Sequence, residues 1–152
     1  LAPFNAWVIS KSLETLAVRM DRHCENALSL SQRLERLSQI ELVKYPFLPS
    51  HPQYKVAKKQ MNAGGGIISF VIANGFERAC IFLDQLDLVS LTAKLVDTRM
   101  IATHRTSTTI AKLYKTDRRA ISILPGLIRR SIGLEHVDDL YEDIEQALRL
   151  GH

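Results

Sequence analysis

Cysteine is almost absent from this sequence. Cys24 and Cys80 stand alone, each in a stretch of helical period, which excludes both a CxxC metal site and a disulfide framework and leaves two reduced thiols as the expectation. No apolar run approaches the roughly 20 residues that span a bilayer, and Leu1-Ala-Pro-Phe-Asn5 carries no basic region ahead of an apolar core. A cytoplasmic protein without a membrane segment is therefore expected. Blocks of like charge are missing too: the net charge is +4, but lysines and arginines are interspersed with acids, so nothing points to nucleic acid. The five histidines, at 23, 51, 104, 136 and 152, fall at no metal-ligand spacing, and no serine sits in a nucleophile elbow. Metal-site and acyl-transfer chemistry are thus unsupported. The chain begins at Leu1 with no Met, which raises the expectation of a piece of something longer.

What is present is a 152-residue chain with 46% hydrophobic and 24% charged residues, enough for one sizeable core. From Trp7 to about Leu37, apolar residues recur every three or four positions, which predicts one long helix. At 1.5 Å per residue it would reach roughly 45 Å, more than one small core requires, so it is expected to link two domains. Residues 1–38 are accordingly assigned to a linking helix and 39–152 to an α/β domain. Strands are predicted at Ile40–Tyr45, Ile67–Ala73, Leu88–Leu95 and Leu127–Ile132, with a short helix at Thr98–Thr103. Helices are predicted from Pro52 through Lys59, from Phe76 to Gln85, and at the end of the chain from Val137. The pattern describes helices layered against a four-stranded sheet.

Two features invite a site. Gly64-Gly65-Gly66 could cradle a phosphate, but it precedes a strand and lacks the Lys-Ser/Thr of a P-loop, so a plain turn competes with that reading. Arg129 and Arg130 lie inside the otherwise apolar Gly126-Leu-Ile-Arg-Arg-Ser-Ile-Gly133, and alternation sends them to opposite faces. One of them must border the core, where an unpaired guanidinium is costly. Its partner would be a carboxylate, from the protein or from a ligand, and both readings stay open.

Read together, several segments resemble the PLP-dependent enzymes of cysteine and methionine metabolism. They are Pro3-Phe-Asn-Ala-Trp7 with Leu13-Glu-Thr-Leu16, Arg19-Met-Asp-Arg-His-Cys-Glu-Asn-Ala27, and Tyr45-Pro-Phe-Leu-Pro-Ser-His-Pro-Gln53. Ala57-Lys-Lys-Gln-Met61, the glycines, Ser69-Phe70 and Pro125 through Glu135 continue the likeness over nearly the whole chain. Within that family, Leu95 to Asp97 and Thr103-His104 through Ser107-Thr-Thr109 look most like the O-succinylhomoserine sulfhydrylases. Cystathionine γ-synthase and methionine γ-lyase are the nearest alternatives, and a free-standing non-catalytic remnant or binding module is the alternative of another class.

The resemblance implies the small C-terminal domain of a fold-type I PLP enzyme, with a mainly antiparallel four-stranded sheet and helices on one face. It implies that Arg129 grips the α-carboxylate of an amino-acid substrate, a homoserine ester, and that Lys94 and Leu95 lie beside that substrate. It also implies pyridoxal 5'-phosphate and a homotetramer in the full enzyme. None of the eight lysines, at 11, 44, 55, 58, 59, 94, 112 and 115, sits in the family's cofactor motif, so the chain by itself is expected to bind no cofactor and to lack catalytic residues. Four positions depart from the family pattern: Val96 stands for a Gly, Arg105 for a Pro, Ile110 for a His and Ser12 for a Gly.

Overall fold

The computed structural model describes residues 1–91, 98–104 and 124–150, without the side chains of 90, 91 and 104. The long helix expected from Trp7 to Leu37 is two helices, α1 (Pro3–Glu14) and α2 (Leu16–Leu34), joined at Thr15. The break has a local cause. The Ser12 carbonyl, which would accept the Leu16 N–H in a continuous helix, instead accepts Nη2 of Arg19 at 2.7 Å, while Arg19 Nε donates to Thr15 Oγ1 at 3.2 Å. A side chain inserted into the helical ladder in this way ends one segment and starts another. Neither proline nor glycine marks the spot, which is why hydrophobic period alone runs through it.

α2 buries one stripe, His23, Asn26, Ala27, Leu30, Ser31 and Leu34, at helical spacing. α1 buries nothing: Phe4, Trp7, Val8, Ile9 and Leu13 are all exposed. The remaining elements are β1 (Ile40–Lys44), α3 (Tyr54–Gln60), β2 (Ile67–Ile72), α4 (Gly75–Asp84), β3 (Ser90–Leu91), β4 (Ile101–His104), β5 (Leu127–Ser131) and α5 (Val137–Leu150). Asp138 and Asp139 occupy the first turn of α5, where the helix dipole favours anions.

The sheet order is β1-β2-β5-β4-β3. The first four strands in this order pair antiparallel, and two-residue β3 joins β4 in parallel. The fold is α/β as expected, with a mainly antiparallel sheet and α2, α4 and α5 against it, but two strands are assigned differently. The short helix expected at Thr98–Thr103 is strand β4, and of the strand expected at Leu88–Leu95 only Ser90–Leu91 pairs among the described residues. Met100 and Ala102 turn to the helix-covered face, while Ile101 and Thr103 turn to the far face. All four are buried, so the stretch lacks the polar and apolar alternation that marks a strand in sequence.

The core gathers Leu30 and Leu34 from α2, Ile68, Phe70 and Ile72 from β2, Phe82 from α4, Ile128 from β5, and Leu140 and Ile144 from α5. Phe70 and Phe82 meet edge to face at 6.0 Å. The end of β5 is held from three sides. His23 Nδ1 donates to the Ile132 carbonyl at 2.6 Å, and Asn26 Nδ2 donates to the Gly133 and Glu135 carbonyls at 3.0 and 2.9 Å. Glu135 Oε1 accepts the Met100 N–H at 2.7 Å, and the Ile132 N–H donates to Gly66 at 2.8 Å.

Asn26→Ala leaves two carbonyls without a buried donor and should lower unfolding stability by about 1–3 kcal/mol. Urea denaturation reads this directly, and an unchanged midpoint would contradict the anchoring role.

Candidate functional site

Strand β5 places the two arginines on opposite faces, as alternation requires. Arg130 enters the helix-covered core and is fully buried. Its guanidinium lies 5.2 Å from the Phe82 ring centre and 5.9 Å from that of Phe70, and Nη1 donates to the Met100 sulfur at 3.4 Å. Nε and Nη2 have no hydrogen-bond partner among the described residues. Burial pushes the Arg130 pKa down to about 9, with the Asp143 carboxylate of α5 pulling it back up. Asp143 itself accepts the Asp87 N–H at 2.9 Å through Oδ1, and its Oδ2 is buried without a hydrogen-bond partner among the described residues. The core-facing arginine therefore has rings, a thioether and a carboxylate acting at longer range, rather than the direct carboxylate contact that sequence reasoning called for.

Arg129 turns to the far face, which α2, α4 and α5 leave to other cover, and is half-buried there. The ladder sets it in one row with Lys44, Ser69 and Thr103, through the pairs Lys44↔Ser69, Ser69↔Arg129 and Thr103↔Arg129. Thr103 is 4% exposed, whereas Ser69 and Lys44 are half-buried, so the row opens towards the β1 edge. Sequence reasoning selected neither Lys44 nor Ser69 for a site. The signal for Ser69 was its place as the one polar residue in Ile67-Ile-Ser-Phe-Val-Ile72, on the face that alternation gives to Arg129. Lys94 and Leu95, expected beside the substrate, lie outside the described residues, as do Val96, Arg105 and Ile110.

The glycine run is filled at Gly64 and Gly66 and open at Gly65. A Cβ at Gly64 would fall 2.5 Å from Tyr45 Cζ, because the tyrosine ring packs against the backbone there and its hydroxyl donates to the Gly65 carbonyl at 3.0 Å. Gly65 adopts φ +80°, a left-handed conformation that suits glycine. The turn reading holds and the phosphate cradle does not. Burial raises the Tyr45 pKa, with Cys24 adding to it. Cys24 and Cys80 are half-buried and unpaired, and burial, with Asp84 and Glu77 nearby, raises the Cys80 pKa. No group of three or more potential metal ligands comes together among the described residues.

Pyridoxal phosphate needs a lysine kept neutral in a formed pocket and a cradle for its phosphate. Of the described lysines, 11, 55, 58 and 59 are exposed and Lys44 is half-buried. The described residues do not fit the cofactor.

A family model described as Cys/Met metabolism PLP-dependent enzyme matches residues 1–149. The chain is 41% identical over 151 residues to an O-acetyl-L-homoserine sulfhydrylase of Leptospira meyeri, covering 98% of this chain and 34% of that protein. It is 42% identical over 148 residues to an O-succinylhomoserine sulfhydrylase of Pseudomonas aeruginosa, covering 97% and 37%. It is 40% identical over 149 residues to an L-methionine gamma-lyase of Pseudomonas putida, covering 98% and 37%. The chain spans a little over a third of the length of these relatives.

The Arg130 environment generates a signed expectation. Arg130→Met combined with Asp143→Asn removes both buried charges and should leave stability unchanged or raised, whereas Asp143→Asn alone strips the cation of its countercharge and should cost about 3 kcal/mol. Because the folded-state pKa is depressed, the penalty on wild type is fully present below about pH 9. It is relieved as pH rises above that value, where the unfolded chain binds the proton more tightly than the folded one. Melts at pH 8 and pH 10 should show wild type gaining on Arg130→Met, and a constant difference would refute this.

Proposed function

Since the chain belongs to the Cys/Met metabolism PLP-dependent enzyme family, we propose that it is the C-terminal part of an O-succinylhomoserine sulfhydrylase-like enzyme, which replaces the γ-succinyl group of its substrate with sulfide to give homocysteine. The observation that carries this reading is the position of Arg129. It stands at the middle of the sheet, on the face away from α2, α4 and α5, between Ser69 and Thr103. A guanidinium can bind a carboxylate through two parallel N–H donors, and its planar fork would then fix the orientation of the amino acid as well as its affinity. Lys94 and Leu95, six positions before the start of β4 at the nearer, would flank the same substrate.

Several features support a larger working protein. The described residues do not fit the cofactor, and relatives of this chain run to nearly three times its length. α1 carries an apolar surface that no described residue buries, Phe4 being 70% and Trp7 57% exposed. We assign residues 1–38 to the connection with a cofactor-bearing domain, and residues 39–152 to the small domain. A homotetramer with amino-acid substrate sites follows from the family reading, and no helix among the described residues is long and apolar enough to cross a membrane.

A second reading is favoured by a specific observation: an L-methionine gamma-lyase is as similar to the chain as the sulfhydrylases are. That reading keeps Arg129 in the same role and exchanges replacement at Cγ for elimination.

In the full-length protein, Arg129→Ala should lower kcat/KM for the homoserine ester by about a hundredfold, mostly through KM, with Arg129→Lys recovering part of it. Steady-state kinetics with sulfide as acceptor measures this, and an unaltered kcat/KM would remove Arg129 from the site. The 152-residue chain alone, mixed with pyridoxal phosphate and dialysed, should retain no absorbance band at the visible edge. A persistent band would place the cofactor lysine within these residues.

A further inference from the structure

We propose that Lys44 is a second anion-binding residue, which holds the far carboxylate of a succinyl ester and thereby selects it over an acetyl ester. The proposal rests on the reading that Arg129 holds the α-carboxylate.

The ladder supplies the geometry. Lys44 pairs with Ser69 and Ser69 with Arg129, so the two cations stand in one row with a single hydroxyl residue between them. They point the same way, because Val43 is buried in the core beside Phe70, which turns Lys44 to the far face that Arg129 also occupies. Two strand spacings separate them, roughly 10 Å, which is on the order of the length of an extended succinyl homoserine ester. That ester carries a carboxylate at each end, whereas an acetyl ester carries only one.

Accessibility favours this side of Arg129 over the other. Thr103, the neighbour towards β4, is 4% exposed, while Ser69 and Lys44 are half-buried. Lys44 also sits on an edge strand, where its flexible four-carbon stem has room to swing its three donors over the row. Among the described residues its ammonium makes no ion pair, the four present joining Lys11 to Glu14, Arg33 and His136 to Asp138, and Arg149 to Glu145. A cation held half out of water in the Arg129 row, with no ion-pair partner among the described residues, is suited to an anionic ligand group.

The test compares the succinyl and acetyl esters in the full-length protein, with sulfide as acceptor, for wild type, Lys44→Ala, Lys44→Arg and Lys94→Ala. Lys44→Ala should lower the ratio of kcat/KM for succinyl to acetyl ester by about tenfold or more, mainly through KM for the succinyl ester, and Lys44→Arg should restore most of that ratio. A folding defect would lower both esters together and leave the ratio alone. An unchanged ratio in Lys44→Ala, or a ratio that moves only in Lys94→Ala, overturns the proposal while leaving the sulfhydrylase reading in place. Turnover of neither ester by wild type overturns that reading, and this proposal with it.

Discussion

The hydrogen bonds that His23 and Asn26 send from α2 to the carbonyls of Ile132, Gly133 and Glu135 determine where β5 ends and how it is turned. Because Ile132 also donates to Gly66 and Glu135 accepts from Met100, the same few residues tie the entrance of β2 and the start of β4 to that point. Each bond is modest in isolation, but all of them act on one stretch of backbone, and the donors and acceptors they satisfy are buried or partly buried.

This constraint matters because β5 carries two adjacent arginines. A slip of one residue would exchange their faces, placing Arg129 in the core and Arg130 in the Lys44–Ser69–Thr103 row. Residue type would do little to penalise such a slip, since both positions hold the same side chain. The tethers at the end of the strand penalise it instead. Arg130 meanwhile lies among Phe70, Phe82 and Met100, and among the described residues its charge is balanced by Asp143 at a distance.

Much of this arrangement was legible in the sequence. The β-branched and aromatic content of Ile67–Ile72, the period of Val137–Leu150 and the alternation through Arg129 and Arg130 all rest on local pattern, and local pattern located them. What escaped was non-local. The break at Thr15 depends on a side chain four residues later reaching back to a carbonyl, and β4 is recognisable only once both of its faces are known to be covered. The glycine run illustrates the same limit: whether it holds a phosphate or a tyrosine ring is settled by Tyr45, nearly twenty residues earlier in the chain. Of the site, Arg129 could be found from its strand, but its neighbours Ser69 and Lys44 follow only from the pairing of three strands.

The joint at Thr15 has a mechanical consequence. An unbroken helix from Pro3 to Leu34 would act as a stiff lever whose inner arm is bonded to the end of β5. Any displacement at the outer arm would then be delivered to the strand that carries Arg129. With the Ser12 carbonyl given over to Arg19, α1 and α2 meet at a joint rather than along one hydrogen-bonded ladder, so a load on Phe4 and Trp7 reaches the sheet by way of the Arg19 contacts. The segment that presents the apolar surface is thus separated by that joint from the segment that holds the arginine in place.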